Sequence, residues 1–298
     1  MKSKLLCLAA VCALVSACKD EQVYETSGLI ESTEVLVSSE GTGKLLRLDA
    51  EEGTILKKGE VVGAIDSEQL ALEKRRTLSE IAELESSLPD IPVQLAPLRE
   101  QLAKQRFEKN RFEGLVAAKS ANRKQLDDIN SDIEVITKKI LALESDLRKT
   151  YGRIENAVAT RRAQIAILDD KIAKCGIVNP IGGTVLVKYS QAGEIKTYGS
   201  PLYKIADLRT LFLRAYFTDA QLNKIKLGQK LKIRADFGAD GSREYDGEVS
   251  WISAKAEFTP KGIRNRQERA DLVYAVKLRV QNDGFLKIGQ YAETEPLK

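Results

Sequence analysis

Between Ser67 and Lys174 the apolar residues of this 298-residue chain fall into two heptad series. The second is the cleaner. Leu126, Ile129, Ile133, Ile136, Ile140, Leu143, Leu147 and Ile154 alternate at intervals of three and four, with only Thr150 out of character. After a slip of one residue the series resumes at Val158, Ile165, Leu168 and Ile172. The first series runs Ile81, Leu84, Leu88, Ile91, Leu95, Leu98, Leu102, Phe112 and Val116. Such spacing puts a narrow apolar stripe on one side of a helix, the seam by which two helices pair. Two seams of similar length, separated by residues 117–122, predict an antiparallel α-hairpin over 67–174. Its arms hold about 50 residues each and reach roughly 75 Å at 1.5 Å per residue. Asn122, with Gln125 three residues later, has the pattern of a capping box for the second arm. Pro89, Pro92 and Pro97 lie in the first arm, and an interior proline costs ~3 kcal/mol. That arm is therefore expected to break near 87–92, facing Gly152 of the second.

On either side of the hairpin a motif appears twice. Gly43, Gly53, Ile55, Gly59 and Ile65 each have the same residue type 140 positions later, at Gly183, Gly193, Ile195, Gly199 and Ile205. The apolar residues between the glycines read as short strands, and the six glycines as tight turns that need φ > 0. Each half, over 34–66 and 175–207, resembles one half of a lipoyl/biotinyl carrier domain. In a carrier the halves meet at a turn bearing an acceptor lysine. Here the first half runs into the helical arm, so the carrier chemistry is lost.

The remainder, 208–298, reads as a small β-barrel. Strands are expected at Leu211–Phe217, Lys230–Phe237, 244–253, 272–281 and 286–295. Thr218 with Gln221 resembles a capping box opening a short helix to Lys226, and Asp240-Gly241 has the form of a hairpin turn. The fold class that follows is α+β, multidomain and elongated: a split lipoyl-like β-domain, an inserted coiled-coil hairpin, then a barrel.

The chain begins as a secretory signal, with Lys2 and Lys4 before the apolar run Leu5–Val15. It ends in Val15-Ser16-Ala17-Cys18, which resembles a bacterial lipobox. Cleavage before Cys18 leaves a lipid-modified cysteine at the head of a polar tether, 18–33, and two or more acyl chains hold firmly where one does not. Losing residues 1–17 removes two lysines and no acid, so the formal charge falls from +4 to +2. That is no nucleic-acid footprint. Histidine is absent, which removes the commonest general base and metal ligand. Cys175, the one cysteine within the folded chain, is expected as a small apolar residue at a helix end. No catalytic residue, metal site or cofactor is expected.

Lipid anchor, tether, half-lipoyl, hairpin, half-lipoyl and barrel, in that order, resemble the HlyD-like periplasmic adaptors, or membrane fusion proteins. Ala256-Glu257-Phe258-Thr259-Pro260-Lys261, Glu268-Arg269 and Leu272-Val273-Tyr274 look like the signature of adaptors serving ABC-type exporters, and Leu286–Gln290 resembles the closing barrel strand. The resemblance implies a hexameric, non-catalytic adaptor in a Gram-negative periplasm. It would be anchored in the inner membrane and would link an inner-membrane ABC-type transporter to a TolC-like outer-membrane channel. Family members carry a tip motif of Arg, a Leu four later and a Ser eleven after the Arg. Arg111 and Leu115 match it, and Asn122 stands where Ser is usual. In the heptad frame set by Phe112 and Val116, Arg111, Gly114 and Leu115 fall off the seam, and the residues the resemblance makes candidates for channel docking are Arg111, Leu115 and Asn122. Two other readings are an adaptor for a proton-driven pump and a scaffold lipoprotein. The first usually carries a further membrane-proximal domain, expected here to be absent because the chain ends at Lys298 after the last barrel strand. The second does not need the split halves. The basic run Lys255, Lys261, Arg264, Arg266 and Arg269 reads as a solvated barrel loop or a contact with the transporter or a neighbouring subunit.

Overall fold

A computed structural model describes residues 26–236, 241–258 and 272–294. The two lipoyl-like halves do not form separate sheets. The first supplies β2 (Glu34–Ser38), β3 (Gly43–Leu48), β4 (Ile55–Leu56) and β5 (Val61–Ile65), and the second β6 (Gly176–Val178), β7 (Gly183–Lys188), β8 (Ile195–Lys196) and β9 (Pro201–Ala206). They interleave into two sheets, ordered β2-β9-β7-β4 and β6-β5-β3-β8. Each half thus lends two strands to the other, β2 and the short β4 from the first half, β6 and the short β8 from the second. The exchange follows the 140-residue repeat bond by bond. The Gly53 N–H donates to Val185 O at 2.9 Å, and the Gly193 N–H to Leu45 O at 2.7 Å. The Gly59 N–H donates to Asn179 O, and the Gly199 N–H to Ser39 O, both at 2.8 Å. An internal two-fold therefore relates the halves. Leu45, Leu48, Val62, Val185, Leu202 and Ile205 fill the core they share.

The repeated glycines serve two different needs. Gly53, Gly59, Gly193 and Gly199 have φ between 81° and 97° and open space where a Cβ would stand, so backbone conformation is the requirement. Gly43 and Gly183, expected as turns, instead begin β3 and β7. A Cβ there would lie 2.8 Å from Asp66 O and 2.4 Å from Ala206 O, so close approach of a second backbone leaves no room.

The two-fold also relates the points where the other parts join. The hairpin enters after β5 and leaves before β6, which pair with each other. The barrel joins before β2 and after β9, which are the corresponding strands and likewise pair.

The hairpin consists of α1 (Glu68–Ser86), α2 (Ile91–Ala117) and α3 (Arg123–Lys174). Its first arm breaks at 87–90, within the expected interval. Asp90 caps α2, its carboxylate accepting from the Val93 N–H at 3.1 Å, and Pro92 falls in the first turn, where the missing N–H costs nothing. The joint is one-sided, however. α3 runs unbroken for 52 residues through Gly152, and an added Cβ there would meet nothing within 4 Å. Both seams face inward: Ile81, Leu95, Ile136, Leu147, Val158 and Leu168 are buried. Near the base three ion pairs tie α1 to α3: Lys74–Asp169 at 2.6 Å, Arg161–Glu80 at 3.2 Å and Arg162–Glu85 at 2.9 Å. Among the described residues no ion pair joins α2 to α3, so the outer half rests on apolar contact. Among the described residues no helix is long and apolar enough to cross a membrane.

A closed barrel follows, built from β1 (Thr26–Glu31), β10 (Thr210–Thr218), β11 (Lys230–Asp236), β12 (Ser242–Phe258), β13 (Leu272–Gln281) and β14 (Tyr291–Thr294), in the order β1-β10-β13-β12-β11-β14. Leu211, Leu213, Phe217, Ile233, Leu278 and Val280 fill it. Thr26–Glu31, expected as part of the tether over 18–33, is instead a barrel strand. It buries Ile30 inside, pairs Ile30 with Leu213 and Thr26 with Thr294, and so closes the two edges that β10 and β14 would otherwise expose. Two further expectations are corrected. Leu286–Gln290 is not strand but leads through Gly289 (φ 82°) into β14. The short helix α4 (Asp219–Leu222) ends before Lys226, although the Gln221 side chain does accept from the Thr218 N–H at 2.9 Å. The leader, Cys18, Asp240, residues 259–261 of the signature with Glu268 and Arg269, and the basic residues Lys261, Arg264 and Arg266 lie outside the described residues.

Candidate functional site

The tip of the hairpin is a five-residue connection between two capped helix ends. α2 closes with the Lys119 N–H on Val116 O at 3.0 Å and the Ser120 N–H on Leu115 O at 2.8 Å, the paired bonds of a Schellman cap. That cap needs a left-handed residue at its first outside position. Lys119 occupies it with φ 56°, the one non-glycine residue with positive φ among those described. Lys119→Gly is expected to stabilise the hairpin by about 0.5–1 kcal/mol, read as a higher urea midpoint of the helical circular dichroism signal. A lower midpoint would show that the Lys119 side chain holds the turn.

α3 then starts at Asn122, whose Oδ1 accepts from the Lys124 N–H at 3.0 Å. The expected reciprocal box with Gln125 is not how this cap is made. Asn122 is exposed, and its side-chain oxygen is occupied as a cap. Arg111 and Leu115 stand one helical turn apart on α2, off the seam, and are brought together as the spacing requires. Arg111 is exposed, held loosely by Glu108 at 3.5 Å and lying 5.4 Å from the Phe112 ring centroid. Leu115 is exposed, and a Cβ at neighbouring Gly114 would meet nothing within 4 Å, so no close approach within the chain explains that glycine. The surface is an apolar bump and a cation beside bare backbone.

The seam that supports the tip weakens just below it. Gln105 and Lys109 take the two inward positions between Leu102 and Phe112, and both are half-buried. Lys109 reaches outward to Glu113 at 3.7 Å. Polar residues at such positions cost stability and set register.

At the other end of the hairpin lies a polar lock that the sequence does not advertise. Asn179 and Tyr203 are both fully buried. The Tyr203 hydroxyl donates to Asn179 Oδ1 at 3.0 Å, and the Asn179 amide donates to Lys57 O at 2.9 Å and to Ile181 O. The pair therefore joins the second half to the first. Burial pushes the Tyr203 phenol up to about 12, with Glu60 adding to it. Cys175 ends α3 and is buried against Gly41; burial raises its thiol above the ordinary range.

A lipoyl mount split by a helical hairpin and followed by a six-stranded barrel is the fold of the membrane fusion proteins. The chain aligns with membrane fusion protein Spr0693 from Streptococcus pneumoniae R6 at a TM-score of 0.54 and 15% identity, over 91% of this chain and 98% of that one. With MacA from Actinobacillus actinomycetemcomitans the TM-score is 0.53 at 15% identity, over 93% and 81%. Among curated proteins it is 22% identical over 311 residues to the UPF0194 membrane protein YbhG of Salmonella gallinarum (strain 287/91 / NCTC 13346), covering 95% of this chain and 93% of the relative. The corresponding protein of Salmonella arizonae is 23% identical over 283 residues, covering 88% and 85%. No family model matches the chain.

Proposed function

We propose that this chain is a non-catalytic adaptor of an efflux or secretion system. It links an inner-membrane ABC-type exporter to a TolC-like outer-membrane channel. It acts as a ring of copies, six by family resemblance, in a Gram-negative periplasm, held to the inner membrane by lipid on Cys18. The observation that carries this reading is the hairpin itself: a 52-residue helix and its broken partner, ending in a capped tip whose Arg111 and Leu115 are exposed and lie off the seam between the arms. The barrel supports the anchor. Thr26 pairs with Thr294, so the chain leading back to Cys18 leaves the barrel beside its last strand. The signature at Ala256–Phe258 and Leu272–Tyr274 supports the ABC-type partner over a proton-driven one. Deleting the gene and, separately, the neighbouring transporter genes is expected to give the same spectrum of substrate sensitivity. Spectra with no overlap would overturn the adaptor reading. Cys18→Ser is expected to release the protein from membranes into the soluble periplasmic fraction, with loss of a metabolic lipid label. Retention on the membrane would show a different anchor.

A further inference from the structure

Mount and barrel do not pack shut against each other. A cavity of about 710 Å³ opens between them, walled by β4 and the start of β7 on one side and by the turns before β10 and after β13 on the other. Small-molecule sites commonly enclose ~300–1,000 Å³ and lie between domains. Ile55, Leu186, Leu208, Leu286 and Ile288 give this one its apolar surface. Its charge is one-sided. Lys57, Lys58, Arg209 and Lys287 line it against one carboxylate, Asp207. Arg209 occupies that carboxylate, donating to both of its oxygens at 2.9 Å. Lys287 Nζ donates to Gly284 O at 2.9 Å, and among the described residues Lys57, Lys58 and Lys287 form no ion pair. The internal two-fold supplies a comparison. Adding 140 to Ile55, Lys57 and Lys58 gives Ile195, Thr197 and Tyr198, in the loop on the hairpin side. The isoleucine is kept and is about as exposed, 77% against 71%. The two lysines are not kept, and the one lysine of the second loop, Lys196, is paired to Glu194 at 2.6 Å. The turn itself therefore needs no such cations. Only the copy that borders the barrel cavity carries them.

A cleft lined by one sign of charge draws a ligand of the other sign, and apolar walls favour an apolar body over water. The chain on either side of the barrel leads off from Thr26 and Thr294, which pair at the barrel end away from the mount. We propose that the cavity binds an amphipathic organic anion. Its single apolar body, aromatic or acyl, sits on Ile55, Leu208 and Ile288. Its one sulfonate, carboxylate or phosphate group is held by Lys57 and Lys58. A ligand so placed touches mount and barrel together and ties one to the other. This site goes beyond the linking role proposed above and does not depend on it.

The test uses the full chain in lipid nanodiscs, with a thiol placed by Ile55→Cys or, at the two-fold counterpart, by Ile195→Cys. Both positions are exposed, and the native Cys175 is buried. The rate of maleimide labelling is read by mass spectrometry on the peptide that carries the new thiol. The probe is anilinonaphthalene sulfonate, and the control is phenylnaphthylamine, the neutral parent that lacks only the sulfonate. With the probe at about ten times its Kd, labelling of Ile55→Cys is expected to slow about tenfold, and labelling of Ile195→Cys to stay unchanged. Adding Lys57→Glu and Lys58→Glu is expected to raise the Kd read from this protection about tenfold, with circular dichroism unaltered. No protection of Ile55→Cys, equal protection of Ile195→Cys, equal protection by the neutral parent, or an unchanged Kd in the double lysine variant would each overturn the proposal. An Ile55→Cys thiol that is unreactive before any probe is added would show the cavity filled by protein and would overturn it too. None of these outcomes touches the linking role, which is judged by the deletion phenotypes.

Discussion

Arg111→Asp, or Leu115→Ser, abolishes transport in a chain that remains folded and membrane-attached: this is the largest functional effect expected of any single substitution here. Neither side chain supports the hairpin. Arg111 makes one 3.5 Å ion pair to Glu108 on its own helix, with its own side chain exposed, and such pairs contribute little. Leu115 lies off the seam that Phe112 and Val116 close. Either change therefore costs the helix only about 0.5 kcal/mol in propensity, well within the stability of a domain. At a docking surface the effect is different in kind, because Asp reverses a charge and Ser deletes the apolar bump. Transport is measured by substrate sensitivity, and folding by the thermal midpoint of the purified chain. Wild-type transport in both variants would refute tip docking. A matched fall in transport and thermal midpoint would assign these residues to the fold instead.

The largest effect on stability is expected at Tyr203. Tyr203→Phe removes the hydroxyl that donates to Asn179 Oδ1 and leaves that oxygen buried and unpaired, which costs about 1–3 kcal/mol. The same hydroxyl makes stability depend on pH. Its phenol is raised from 10.0 to about 12 in the folded chain, so the native state keeps a proton that the unfolded chain has released. Stability is complete below pH 10 and falls as pH rises toward 12, by about 3 kcal/mol for this one group. Urea unfolding at pH 8 and at pH 11 separates the two terms. The variant is weaker at pH 8 but shows a shallower alkaline loss than the wild type. Equal alkaline slopes in the two proteins would mean that Tyr203 ionises normally and the lock is not closed in solution.

How far the sequence reveals this molecule depends on how local each cause is. The hairpin is legible because its seams are periodic over tens of residues, and the break at 87–90 because proline acts on its own backbone. The 140-residue repeat is legible as matching residue types, but the exchange of β4 and β8 between halves is not. Two-residue strands carry no period, and only the partner backbone defines them. β1 is missed for a related reason. Thr26–Glu31 is short and near-polar, and both strands that make it a barrel element lie far away, at 210–218 and 291–294. Gly43 and Gly183 show that one residue type can answer to two causes, since the sequence marks a glycine without saying whether φ or crowding requires it. At the tip, Arg111 and Leu115 are visible through the heptad frame. Lys119 is not, because a left-handed lysine has no signature where glycine or asparagine is the usual choice.

The two equivalent joining points on the mount have a mechanical consequence. A pull along the hairpin is taken up by β5 and β6 together, both drawn lengthwise from the same end, with β5 held by β3. A pull from the barrel is taken up in the same way by β9 and β2, with β9 held by β7. Tension between the two ends therefore loads the ladders in shear, where several hydrogen bonds must yield at once, and not in peel, where they yield singly. The repeat places a shear joint of the same kind at either end of the load path, with the longer ladders on the barrel side.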